Sequence, residues 1–138
     1  MFAPDLAGSA FLARLQAGGA RIEREMRPLD ERLAEASLFI HHGNAGAVAE
    51  GLAIGVPQLA LPGDLEKILN GRQIAQAGVG KTVPLNQVRS LRAQHIEALS
   101  RHPGTAERAA NLGAQHRNLM RDDPLGKLER ACVSLLAG

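Results

Sequence analysis

Apolar residues in this chain fall into short continuous runs, separated by longer stretches where they recur every three or four positions. The runs at 37–41 (SLFIH), 58–61 (QLAL) and 79–83 (VGKTV) read as short buried strands. The stretch 45–54 has the helical spacing and is closed by Gly55 with Pro57 just beyond. The stretch 65–77 has it too and ends at Gly78. Pro62-Gly63-Asp64 forms the turn between the second strand and the second helix. Strand, helix, strand, helix, strand in that order predicts an α/β domain with a parallel sheet.

The flanks are simpler. Residues 1–4 fit the tail of a strand, 9–17 a helix stopped by Gly18-Gly19, and 21–26 (RIEREM) an alternating strand with one covered face. Asp30 is placed to cap a short helix through residue 36, with Leu33 turned inward. Beyond Pro84 the pattern is helical. Val88, Leu91, Ile96 and Leu99 mark one face, Ala106, Ala109, Ala110, Gly113 and Met120 a second, and Leu125, Leu128, Cys132 and Leu135 a third. Pro103 and Pro124 sit near helix starts, where proline costs least.

Chemistry concentrates at FIHHGNAGAVAE, residues 39–50. An apolar strand there runs into two histidines, then glycines that let the backbone turn, then a helix. A helix opening at that point directs unpaired N–H groups and the positive end of its dipole above the strand, which makes an anion site with phosphate as the expected occupant.

Composition removes several alternatives. With 138 residues, 45% of them apolar, the chain suffices for one compact domain. Sixteen basic against fourteen acidic residues leave a charge of only +2, interspersed along the chain. That makes no case for nucleic acid or a membrane surface. Without Trp or Tyr, single strands would find no stacking platforms. The lone Cys132 excludes an internal disulfide and reads as a small buried hydrophobe. His95, His102 and His116 lack metal-ligand spacing, so no metal site is expected. With no apolar run of membrane-spanning length and no basic-then-apolar start, a cytoplasmic protein is expected.

From Arg27 to Gly80 the chain resembles the donor-binding signature of family 1 glycosyltransferases, the group of bacterial macrolide and glycopeptide glycosyltransferases and UDP-glycosyltransferases. The ordered agreement comprises RPLDERL, HHGNAG, Glu50, GVPQLALP and DLEKILNGRQIAQAGVG. The resemblance implies the C-terminal half of a GT-B fold: a Rossmann-like parallel sheet flanked by helices, with a helical C-terminal tail. It further implies a domain that holds a UDP- or dTDP-sugar without metal. The acceptor-binding domain and its catalytic base lie outside this chain, which by itself is not expected to catalyse transfer.

Position by position, the resemblance puts the phosphate-binding histidine on His42, with Gly43, Asn44, Ala45, Gly46 and Ala47 around the diphosphate. Ala47 stands where many relatives have Ser or Thr, which removes one hydroxyl contact. His41 points to the other side of the strand. Glu50 falls at the ribose-binding glutamate, although the residue alone reads equally as a solvated side chain in a first helical turn. Glu66 and Lys67 fall at the sugar-contacting pair, with Lys67 replacing a neutral amide; alone, they read as an exposed helix start. Arg27 and Leu29 fall in the base-binding loop, where Leu29 alone reads as core. Two other readings stay open: a nucleotide-binding subunit completed by a separate partner chain, and a degenerate module used only for association. An uncovered cleft face also predicts a homo-oligomer.

Overall fold

The computed structural model describes residues 8–136 except 24, 26 and 122. Its centre is a three-stranded parallel sheet in the order β1-β2-β3: β1 Phe39–His41, β2 Gln58–Ala60 and β3 Gly80–Thr82. The register sets Phe39 beside Gln58 and His41 beside Ala60, then Gln58 beside Gly80 and Ala60 beside Thr82. Helix α3 (Ala45–Ile54) connects β1 to β2, and α4 (Leu65–Gln76) connects β2 to β3. Two right-handed crossovers that step across a sheet in one direction lie on the same face. Both loops leaving the strands therefore open at the same end of the sheet.

The chain stops these elements where its glycines allow. Gly55 takes φ +87° after α3 and Gly78 takes +69° after α4, conformations that a side chain would strain. Close packing also depends on missing side chains. A Cβ at Gly71 would lie 2.4 Å from Thr82 Oγ1, and one at Gly51 would lie 2.6 Å from the Gln58 amide carbon. Helices α3 and α4 therefore lie directly on the strands. Ala60, Ile74, Val79 and Ala109 form the core cluster. Burying Ile74 and Val79 fully contributes about 1.5–3 kcal/mol each.

Outside the sheet, the described helices are α1 (Ser9–Ala17), α2 (Leu29–Leu33), α5 (Ala93–Ser100), α6 (Pro103–Arg121) and α7 (Pro124–Leu136), with a 3-10 helix at Leu85–Ser90. Helix α6 crosses the C-terminus of α3, where a Cβ at Gly113 would meet the Gly55 Cα at 2.8 Å. From α6, Arg117 donates to the carbonyls of Ala53 at 2.8 Å and Ile54 at 3.3 Å, which neutralises the negative end of α3.

Several expectations need correction. The described residues of 21–26 form no strand; Glu23 there is bound by Arg21 at 2.8 Å and Arg32 at 2.7 Å. Pro28, not Asp30, is the residue before α2, and α2 ends at Leu33. Val88 and Leu91 belong to the 3-10 helix and its end, apart from the α5 that carries Ile96 and Leu99. Cys132 is exposed, because the apolar stripe of α7 finds no cover: Leu125, Leu128 and Leu135 are 72%, 61% and 82% accessible. The strand tail expected at 1–4 and the Met120 side chain lie outside what is described.

Candidate functional site

The loop between β1 and α3 is held from three sides. Gly43 turns the chain at φ +89°. Its N–H donates to Nδ1 of His41 at 3.0 Å, and its carbonyl accepts from the Asn70 side chain on α4 at 3.0 Å. A Cβ there would lie 3.1 Å from the Lys67 carbonyl, so α4 also blocks the third direction. Asn44 then caps α3, its Oδ1 accepting the Ala47 N–H at 3.1 Å. The first helical bond of α3 is Val48 N–H to Asn44 C=O at 3.1 Å. The N–H groups of Ala45 and Gly46 precede it, at the positive end of the helix, while those of Gly43 and Ala47 are already bonded within the protein.

His41 supports this loop from below. Its Nδ1 accepts from a backbone amide, so Nε2 carries the proton and donates to Oε1 of the fully buried Gln58 at 2.9 Å. The Gln58 amide in turn donates to the Val48 carbonyl at 3.3 Å. Phe39 stacks on the imidazole with ring centroids 4.6 Å apart. Burial holds the pKa of His41 below its ordinary value, with the neighbouring His42 adding to the effect and the bond to Gln58 opposing it. His41 is thus a neutral structural group.

His42 is exposed and lines a cavity of about 390 Å³ with Ile40, His41, Leu61, Gly63, Lys67 and Leu85. Between the lining residues Gly63 and Lys67, Asp64 caps α4, with Oδ1 accepting the Lys67 N–H at 3.1 Å. Its other oxygen takes the Lys67 ammonium. These two bonds from Lys67 hold the Asp64 carboxyl below the usual range, and the same ion pair raises the pKa of Lys67.

Of the residues singled out in the sequence, His42 and Lys67 share the cavity, and Gly43 touches Lys67. Asn44, Ala45, Gly46 and Ala47 form the helix entry beside it. Glu50 is partly buried on the second turn of α3, and Glu66 is exposed in the first turn of α4. Arg27 and Leu29 are exposed at the start of α2, which packs against α3. Sequence reasoning passed over Asn70, Gln58 and Asp64. Asp64 carried a signal, a helix cap after Pro-Gly, and Asn70 a weaker one, a poor helix former in a helix interior. Nothing in the sequence marked Gln58.

Other polar groups have local roles. Nδ1 of His95 accepts the Arg92 N–H and Nδ1 of His102 the Thr105 N–H, both at 3.2 Å, so each serves a helix start. Among the described residues no group of three or more His, Cys, Asp or Glu is placed to hold a metal ion, and no helix is long and apolar enough to cross a membrane.

Comparison with known proteins identifies the family of the chain. The family model described as "Erythromycin biosynthesis protein CIII-like, C-terminal domain" matches residues 14–125. The elloramycin glycosyltransferase ElmGT of Streptomyces olivaceus is 33% identical over 92 residues, which are 67% of this chain and 23% of that protein. The tylactone mycaminosyltransferase of Streptomyces fradiae is 30% identical over 89 residues, 59% of this chain and 20% of that protein. Among solved structures, the glycosyltransferase VinC in complex with dTDP superposes with a TM-score of 0.59 at 20% identity, covering 76% of this chain and 28% of that one. The chain thus spans about a quarter of the length of the relatives it matches. A family model matching most of its length, on a parallel sheet shared with GT-B glycosyltransferases, makes this chain a member of the EryCIII-like C-terminal domain family, the C-terminal domain of family 1 glycosyltransferases.

Proposed function

We propose that the chain holds a nucleoside-diphosphate sugar of the UDP or dTDP type for glycosyl transfer to an acceptor hydroxyl. One observation carries this reading: an exposed histidine lines a cavity at the carboxyl end of a parallel sheet, two residues before the open N-terminus of α3, in a loop pinned by His41 and Asn70. Ligands of open α/β sheets bind at that end. His42 and the N–H groups of Asn44, Ala45 and Gly46 donate to the diphosphate, while Gly43 and Ala47 fix the loop's shape. Glu50 takes the ribose hydroxyls, Glu66 and Lys67 lie toward the sugar, and Arg27 and Leu29 toward the base. In transfer, these donors stabilise the departing diphosphate without a metal ion. The general base belongs to an acceptor-binding domain, on the same or a partner chain, for which the uncovered α7 face is the natural seat. That face also suits a second copy of this chain.

The test is calorimetric titration with UDP and dTDP beside a His42→Ala variant whose fold is verified by circular dichroism. A hydrogen bond to a charged group contributes about 1.5–3 kcal/mol, so the variant should bind about ten- to a hundredfold more weakly. A folded wild type that binds neither nucleotide would replace this reading with that of an association module, to which the bare α7 stripe would then belong.

A further inference from the structure

We propose that Lys67 is a movable counter-ion for the diphosphate, resting on Asp64 when the site is empty and crossing to the phosphate oxygens when nucleotide binds. This rests on the donor-binding reading above. The first turn of α4 abuts the anion loop: a Cβ on Gly43 would lie 3.4 Å from that of Lys67, so the lysine stem starts at the loop itself. The stem lines the same cavity as His42, and four methylene groups give it the freedom to swing. Two of the loop's amides, those of Gly43 and Ala47, are committed within the protein. The amides that stay open are neutral donors, and they leave most of a diphosphate's charge uncompensated. Lys67 is the lysine that reaches this cavity.

Its present partner can release it. The Asp64 side chain is half exposed, and an ion pair in that setting is weak and screened by solvent. A diphosphate carries more charge than one carboxylate and offers several acceptor oxygens. Asp64 keeps its second task after the exchange, because its other oxygen still caps α4 through the Lys67 N–H. The loop and the helix start therefore stay in place while only the lysine head moves.

The experiment compares the wild type with K67M, which keeps the stem, D64S, which keeps a capping oxygen but loses the carboxylate, and the double variant. Each is titrated with UDP, dTDP and the nucleosides uridine and thymidine. K67M should bind the diphosphates about tenfold more weakly, with a flatter salt dependence and unchanged nucleoside binding. D64S should bind them about two- to threefold more tightly, and the double variant should lose that gain. Wild-type diphosphate affinity in folded K67M, or an equal loss for the nucleosides, overturns the role of Lys67 and leaves the donor-binding reading standing. A wild type that binds no nucleotide overturns both.

Discussion

Two adjacent histidines at the end of β1, one on the strand and one just past it, do opposite work, and their burial separates them. Both line the cavity, but His42 is exposed, whereas His41 is buried with both ring nitrogens bonded. Protonating His41 would force Nδ1 to give up the Gly43 amide. Its folded pKa lies below the ordinary value of about 6.5, so the unfolded chain binds more protons in the window beneath that value. Stability is therefore full above about pH 6.5 and declines as the pH falls toward the folded pKa. Urea midpoints measured between about pH 8 and pH 5.5 should show this decline, and His41→Gln should flatten it while lowering stability throughout. Asn70→Ala leaves the buried Gly43 carbonyl without its donor, at a cost of about 1–3 kcal/mol in urea unfolding. Nucleotide affinity should fall with it, since the loop loses its tie to α4.

Helices α3 and α6 meet through glycines, and that contact is unforgiving. A side chain at Gly113 would run into the Gly55 backbone at 2.8–2.9 Å, which cannot swing aside as a side chain can. Gly113→Val should cost about 1–3 kcal/mol by forcing α6 off α3, read from chemical denaturation. This scale also divides what the sequence reveals from what it conceals. Helices α3 and α4 were legible because their stops, Gly55 and Gly78, are local devices with positive φ. Residues 21–26 misled because alternation is a local pattern, whereas a strand is made by pairing, and none of the described residues there joins the sheet. Cys132 misled because an amphipathic stripe predicts burial without saying which surface provides it. At the site, the turn glycine and the exposed histidine were visible within one short motif. Gln58 and Asn70 act on that motif from 17 and 27 residues away, a distance at which no spacing rule operates.

For the whole molecule, the uneven distribution of apolar surface is decisive. The sheet and the helices on it bury a compact core, while α7 exposes Leu125, Leu128, Val133, Leu135 and Leu136 along one helix. Monomeric domains rarely carry so continuous an apolar stripe without a partner for it. Removing residues 124–138 should move the thermal midpoint by no more than a few degrees, because α7 contributes little to the core. The same truncation should abolish concentration-dependent association in sedimentation. A truncated chain that still associates would place the contact elsewhere on the surface.

The amide that Gly43 lends to a buried imidazole nitrogen makes that position a built-in reporter for the loop. The hydrogen-bonded amides of the neighbouring strands, such as those of Phe39, Gln58 and Leu61, answer to carbonyls, whose accepting strength does not change near neutrality. This one answers to a titrating base. In deuterium exchange its protection should weaken as solvent is acidified through the titration of His41, while the neighbouring strand amides keep theirs. Loosening of the phosphate loop would then be visible at one peptide group, with no ligand present.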